Sequence, residues 1–393
     1  VALRTLKDLD VRAKKVLVRA DFNVPLEKAG ISDDSRITAT LPTIKYLMEQ
    51  GATIILMSHL GRPKGVEDKS RLKPVAVHLS KLLGKKVLYK PTDGPASAES
   101  KALVKDAKPG SIILLENTRF DAGEEKNDAK LAKSLASLAD VYVNDAFGAA
   151  HRAHASTEGV AHFLPGAAGF LLEREISVLS QLLEKPKKPF KVVLGGAKVS
   201  DKIGVIENLL KRANEILIGG AMAYTFIKAQ GGSVGKSLVE NDKLDLASDI
   251  LAKAKKAKVK IYLPKDSRCA TDIQEGVKSK IFPSNKISDD YMGLDVGPEA
   301  IKLYQERLAT AKTVLWNGPL GVFETKPFDK GTMTIAKTVA KLDGFTVVGG
   351  GDSVAAIHEA GVAKKIDHIS TGGGASLELL EGITLPGVAI LQK

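Results

Sequence analysis

The chain has 393 residues, 44% of them hydrophobic and 26% charged, a balance that excludes disordered, collagenous and membrane-embedded classes. At about 100–200 residues per domain this length predicts two or three domains, each able to bury a stable core. A single cysteine, Cys269, excludes an internal disulfide and a cysteine-based zinc site, while a net charge of +12 leaves nucleic acid, an anionic surface or an acidic small molecule as partners.

The first ten residues show no apolar segment ahead of a small-residue cleavage site, and no apolar run is long enough to span a bilayer, so neither export nor insertion is expected. Short β-branched runs then alternate with amphipathic stretches, the pattern of parallel sheets covered by helices on both faces. Predicted strands of the first half are 16–18, 53–57, 86–88, 111–115 and 141–143. Between the first two, Ile37, Leu41, Ile44 and Leu47 share one face of a helix that opens near Arg36. The stretch 169–184, apolar at Leu172, Ile176, Leu179 and Leu183, is a helix stopped by Lys185-Pro186-Lys187-Lys188-Pro189, and it is predicted to join two domains. The second half carries predicted strands at 191–194, 215–218, 260–263, 313–316 and 345–348, with a short one at 368–370. The apolar tail 385–391 is free to dock on either half.

Ligands of open parallel sheets bind beyond the carboxyl ends of the strands, so the residues just after each strand carry the functional signal. In the first half these are Arg19-Ala20-Asp21-Phe22-Asn23, Ser58-His59-Leu60-Gly61-Arg62-Pro63, Glu116-Asn117-Thr118-Arg119 and Asn144-Asp145-Ala146-Phe147-Gly148, running on to His151-Arg152-Ala153-His154. Any one of these reads equally as a surface ion pair. Their recurrence at four converging ends points to a small, multiply charged anion, because guanidinium groups bind phosphate and carboxylate bidentately.

The second half places glycines at the same points: Gly195-Gly196-Ala197-Lys198, Gly219-Gly220-Ala221, Asn317-Gly318-Pro319, Gly349-Gly350-Gly351-Asp352-Ser353 and Thr371-Gly372-Gly373-Gly374. One double glycine is an ordinary turn; five ahead of helices favour a nucleotide, whose phosphates take backbone N–H groups. Two standard fingerprints fail. The run Gly231-Gly232-Ser233-Val234-Gly235-Lys236-Ser237 has Gln230 where a P-loop needs glycine, and Val354 and Leu377 break the dinucleotide pattern. Asp352 suits either a helix cap or a carboxylate for the Mg²⁺ that phosphates bring. Lys198 and Lys202 share a face if the chain is helical from Val199, either solvated or facing an anion.

The motifs Val18-Arg19-Ala20-Asp21-Phe22-Asn23-Val24-Pro25, Ser58-His59-Leu60-Gly61-Arg62-Pro63, Gly195-Gly196-Ala197-Lys198-Val199-Ser200-Asp201-Lys202, Trp316-Asn317-Gly318-Pro319, Gly350-Gly351-Asp352-Ser353 and Ser370-Thr371-Gly372-Gly373-Gly374 resemble those of the phosphoglycerate kinase family, in the family's order and over essentially the whole chain. The resemblance implies an α/β fold of two doubly wound parallel-sheet lobes of similar size. The lobes would be 1–169, with 380–393 packing back on it, and 186–379, joined by a helix over 170–185. It implies reversible phosphoryl transfer between MgATP and the carboxylate of 3-phosphoglycerate, giving ADP and 1,3-bisphosphoglycerate in glycolysis, by a cytoplasmic monomer. By resemblance, Asp21, Asn23, Arg36, His59, Arg62, Arg119, His151 and Arg152 form the phosphoglycerate site. Gly196, Ala197, Lys198, Lys202, Gly220, Gly293, Leu294, Asn317, Glu324, Gly350, Gly351, Asp352 and Ser353 serve the nucleotide, with Asp352 on Mg²⁺ and Glu324 near the ribose.

A carboxylate acceptor is ionised at neutral pH, so this reaction needs alignment and charge stabilisation rather than a general base. Arg36, Lys202 and the backbone at Gly373 and Gly374 are the candidates for that charge, with Lys198 next. Closure of the lobes on both substrates is expected, with hinges flanking 169–189 and near 370–380. A different small-acid kinase would share the glycines but not the arginines. A closing solute-binding protein would be exported, and a nucleic-acid binder would need more than 5% aromatic residues for stacking. No specific nucleic acid and no membrane is therefore expected as a partner.

Overall fold

The computed structural model describes residues 2–393. Val16, Leu17 and Val18 are all fully buried, as expected of a central strand apolar on both faces. Their strand, Lys15–Arg19, sits inside a six-stranded parallel sheet in the order Val87–Tyr89, Ile112–Leu114, Thr53–Met57, Lys15–Arg19, Val141–Asn144, Gly166–Ala168. Register is set by Val16 opposite Ile54 on one side and Val141 on the other. The last of these strands is absent from the sequence reading, since Gly166-Ala167-Ala168 has no β-branched residue; it pairs because Tyr142 to Asn144 offer a free edge.

A second six-stranded sheet runs Lys260–Tyr262, Glu215–Ile218, Phe190–Leu194, Thr313–Asn317, Phe345–Gly349, His368–Ile369, and all its strands were expected. Winding reverses between Phe190–Leu194 and Thr313–Asn317 in this sheet, and between Lys15–Arg19 and Val141–Asn144 in the first. Such switch points open a crevice at the carboxyl ends. The α/β class with two parallel sheets is thus as expected. Unforeseen is an antiparallel sheet of Lys280–Pro283, Asp266–Ala270 and Met292–Val296. Its strands mix Asp, Arg and Gly with apolar residues and carry no clean alternation; they close over a small core of Tyr224, Val234, Cys269 and Ile287.

The helix Ser35–Glu49 buries Ile37, Ile44 and Leu47 as expected, but Thr40 and Thr43 complete its inner face and Leu41 is only partly covered. Two compact units result, one of residues up to Ser177 with Thr384–Lys393, the other Val178–Ile383, so the division falls within the helix Phe170–Glu184. The tail packs with the first unit: Leu3 bridges Gln392, Arg4 N–H donates to Leu391 C=O (2.8 Å), and Gly387 N–H to Ala150 C=O (2.9 Å). No helix among the described residues is long and apolar enough to cross a membrane.

The linking helix is capped from elsewhere in the first unit. Phe170 N–H donates to Thr43 Oγ1 (3.0 Å), and Leu171 N–H to Asp145 Oδ1 (2.9 Å). Asp145 is fully buried and its Oδ2 has no hydrogen-bond partner. Burial pushes its pKa up to about 7, against the pull of hydrogen bonds from Thr43, Leu172 and Leu171. A folded pKa above the unfolded value means that stability is full in acid and lost as pH rises through about 7. Asp145→Asn, which keeps the Oδ1 acceptor without the charge, is therefore expected to gain on the parent between pH 5 and pH 8 in urea unfolding. An unchanged difference at the two pH values would contradict a buried, titrating Asp145.

Candidate functional sites at the strand ends

In the first unit a short hydrogen-bond chain draws the predicted anion residues together. Phe22 N–H donates to Ser58 Oγ (2.8 Å), joining the ends of two neighbouring strands. Gly61 N–H donates to Asn23 Oδ1 (2.8 Å), Arg36 Nη1 donates to Asn23 C=O (2.9 Å), and Arg119 Nη1 donates to Gly61 C=O (2.9 Å). Arg36 also stands 3.4 Å from the Asp21 carboxylate. Asp21, Asn23, Arg36, the His59–Arg62 segment and Arg119 thus form one patch.

Its electrostatics are those of crowded cations. Burial, and then the charges of Arg19, Arg119, Arg36 and His154, hold His59 well below the usual imidazole pKa. Burial likewise lowers Arg119, opposed by the carboxylates of Glu125 and Glu124 and reinforced by Arg19 and Arg62. An anion bound here would relieve that repulsion. Arg62 is exposed; His151 and Arg152 lie on the turn after Phe147–Ala149, half-buried and exposed respectively, and take no part in the hydrogen bonds above. Arg19 and His154 stand among the strand-end residues read from the sequence but were not assigned to the phosphoglycerate site, yet both act on His59; that an arginine is fully buried leaves no mark in composition or spacing.

In the second unit the glycine turns meet at the switch point. A Cβ on Gly195 would lie 1.9 Å from Pro319 O, and one on Gly318, at φ +99°, 2.2 Å from Gly195 O, so only glycine lets these two backbones touch. Gly318 N–H donates to Ser353 Oγ (2.6 Å), and Asn317 Nδ2 to Gly349 C=O (3.0 Å). Lys202 Nζ donates to Asn317 Oδ1. Burial lowers the pKa of Lys202, opposed by the nearby Asp201 and Asp352.

Gly196, Ala197, Lys198, Lys202, Asn317, Gly350 to Ser353, Gly373 and Gly374 all line one cavity of about 570 Å³. Gly220, Gly293, Leu294 and Glu324 line an adjoining one of about 510 Å³ that shares Gly196, Ala197, Pro319 and Asp352 with it. The chain is not helical from Val199; the helix begins at Ile203. Val199 is buried and Ser200 N–H is held by Glu240 Oε2 (3.1 Å), so the segment turns, and Lys198 and Lys202 reach one cavity without sharing a helical face. Asp352 is the second residue of Gly351–Glu359, whose cap is Gly350, so it is not the capping residue. The second cavity is mainly apolar, with Tyr224, Leu238, Ile273, Met292 and Val322 in its wall. None was legible beforehand, because isolated apolar side chains on loops and on an unforeseen sheet carry no periodic signal.

Residues 6–383 match the family model described as phosphoglycerate kinase. The chain is 57% identical over 387 residues to a phosphoglycerate kinase of Pseudothermotoga lettingae, covering 98% of this chain and 97% of that one. It is 56% identical over 396 residues to that of Moorella thermoacetica, covering the whole of both. Among solved structures it is similar to phosphoglycerate kinase from Coxiella burnetii, with a TM-score of 0.90 and 41% identity over 99% of this chain and 98% of that one.

Proposed function

The chain belongs to the phosphoglycerate kinase family, and from that premise we propose an assignment of its residues to the reaction. The enzyme is a glycolytic phosphotransferase that moves phosphate between ATP and 3-phosphoglycerate. In our reading 3-phosphoglycerate binds the basic patch of the first unit through Asp21, Asn23, Arg36, His59, Arg62, Arg119, His151 and Arg152. The support for it is the convergence of Arg36 on Asn23 C=O and of Arg119 on Gly61 C=O, beside a buried His59 on which Arg19, Arg119 and Arg36 all act.

The nucleotide phosphates take the cavity of Lys198, Lys202 and the glycine turns, and the base takes the adjoining apolar cavity beside Gly293 and Leu294. Glu324 reaches the ribose in this assignment. Mg²⁺ enters as part of the substrate, MgATP. No group of three or more His, Cys, Asp or Glu among the described residues forms a metal site of its own, and Asp352 at the cavity rim supplies the single carboxylate such an ion requires beside phosphate oxygens.

The acceptor is already a carboxylate, so the protein's task is to hold it in line and to neutralise charge spreading over the equatorial phosphoryl oxygens. Arg36 serves from the acceptor side. Lys202, with the N–H groups of Gly373 and Gly374, serves from the donor side, and Lys198, exposed at the cavity, follows. The two sets belong to separate units, and the reading includes closure on both substrates, since transfer needs reacting atoms about 3–3.5 Å apart with water excluded. The reading includes a cytoplasmic, monomeric enzyme. Its test is ATP consumption with Mg²⁺ and 3-phosphoglycerate in an assay that removes 1,3-bisphosphoglycerate, against acetate, aspartate and glycerate as acceptors. Turnover confined to 3-phosphoglycerate is expected; equal turnover of unphosphorylated glycerate would refute the role given to the basic patch.

A further inference from the structure

Arg19 ends the strand Lys15–Arg19 with its side chain fully buried, its Nη1 donating to Ala20 C=O (2.5 Å), although no carboxylate of the described residues pairs with it directly. Its Nε donates to Ser156 Oγ (2.8 Å). Ser156 Oγ in turn donates to Glu124 Oε2 (2.6 Å), and Ser156 N–H to Glu124 Oε1 (2.8 Å). Glu124 is as buried as Arg19, so the guanidinium is balanced through one intervening hydroxyl and cannot swing away from it. The other end of the fork is fixed by this anchor, with Nη2 3.1 Å from Nδ1 of His59.

A guanidinium has five donors and no acceptor, so in this contact Nδ1 of His59 accepts. An imidazole that accepts at Nδ1 keeps its one proton on Nε2 and is neutral. We propose that Arg19, anchored by Ser156 and Glu124, is a positioning residue that holds His59 as the neutral Nε2–H tautomer, so that His59 offers the phosphoglycerate site an oriented hydrogen-bond donor in place of a titrating cation. The proposal rests on the assignment of His59 to that site.

The arrangement reverses the familiar one in which a carboxylate behind histidine favours imidazolium. The charges that act most on His59 are basic, Arg19, Arg119, Arg36 and His154, while the nearby carboxylates Asp21, Glu124 and Glu125 are engaged with Arg36, Ser156 and Arg119. The three arginines stay charged at all working pH values, and burial holds His154 low in its turn. A further cation at His59 would add repulsion where permanent charges already meet the anion. A neutral N–H adds direction without charge.

The decisive measurement is ¹⁵N NMR of the full-length protein without substrate, with His59 identified by the signal lost in His59→Gln. The expected result is a deprotonated Nδ1 and a protonated Nε2 that do not titrate between about pH 5.5 and 8. A protonated Nδ1, or titration in that range, overturns the proposal whatever the fate of any variant. The kinetic counterpart is Arg19→Met, which removes the donor and keeps the length. In it the Nδ1 and Nε2 signals of His59 are expected to move toward a mixture of the two neutral tautomers, and KM for 3-phosphoglycerate is expected to rise by roughly tenfold with kcat little changed. The same rise in KM with the tautomer signals unmoved would assign Arg19 a merely structural role. Failure of 3-phosphoglycerate turnover in the acceptor assay would refute the function while leaving the NMR result standing, so the two are separable.

Discussion

Arg36→Ala is expected to lower kcat by about 10²–10³ with the fold intact, the usual cost of removing one preorganised charge from a transition state. Arg36 is the second residue of the helix Ser35–Glu49, and its side chain is oriented by the C=O of Asn23 (2.9 Å) and the carboxylate of Asp21 (3.4 Å). Neither partner consumes the whole guanidinium fork, which leaves donors for the acceptor carboxylate and the transferring phosphoryl group. Both partners lie within the chain Lys15–Arg19 feeds, so the position is fixed before substrate arrives, which is what makes the charge effective. The side chain is about one-third exposed, so its loss leaves no cavity. Arg36→Lys keeps the charge but not the planar fork and is expected to recover only part of the rate. Turnover of Arg36→Ala within about threefold of the parent would remove Arg36 from the reaction.

Glu215→Ala is expected to destabilise the second unit by about 3–5 kcal/mol, the range for breaking one member of a buried ionic group. Glu215 begins the strand Glu215–Ile218, and Lys191 lies beside it at the amino end of Phe190–Leu194, with Lys191 opposite Glu215 in register. Lys191 is 2% and Glu215 5% exposed. Lys191 Nζ stands 3.2 Å from Glu215 Oε2, and Arg307 grips the same carboxylate with two nitrogens while stacking over Tyr262 at 5.4 Å. Burial alone would raise the pKa of Glu215; the hydrogen bonds from Arg307 and Lys191 win and lower it. Its contribution is therefore present above the ordinary carboxylate range and lost as pH falls through the lowered value. Alanine leaves the Lys191 ammonium without its counter-charge, and Thr310 Oγ1 (2.7 Å) and the Arg307 carbonyl cannot neutralise it. The readout is built in: the only tryptophan, Trp316, is fully buried in this unit, so its fluorescence follows urea unfolding there. A loss below about 1 kcal/mol would show that the triad is solvated in practice. The network sits at the amino ends of the strands, opposite the glycine turns, so catalysis at low denaturant should be spared.

The glycine turns and basic strand ends were legible because each lies directly after a run of β-branched residues, and parallel strands point their carboxyl ends the same way. That ground left Lys202 and Asp352 with two readings each; the resemblance to the phosphoglycerate kinase family assigned Lys202, Asn317 and Asp352 to one site. The same logic missed Gly166–Ala168, which pairs through backbone edges rather than side-chain preference, and Asp266–Ala270 with its two partners, whose polar residues are buried by tertiary contacts. The condition on which Lys198 and Lys202 would share a helical face, a helix from Val199, is not met: the helix starts at Ile203, after the buried Val199 and the Ser200 N–H held by Glu240.

By itself the sequence determined the α/β class, the two sheets and the chemistry of their ends, because strand periodicity, proline stops and glycine turns are local properties of a chain. Only the tertiary structure decided which charges are buried, how Arg19 faces Nδ1 of His59, that Asp145 caps a helix it does not belong to, and that Leu238, Ile273 and Met292 share one apolar wall. Those relations join residues far apart in the chain. Their energies depend on desolvation and on distances of about 3 Å, which no spacing along the sequence encodes.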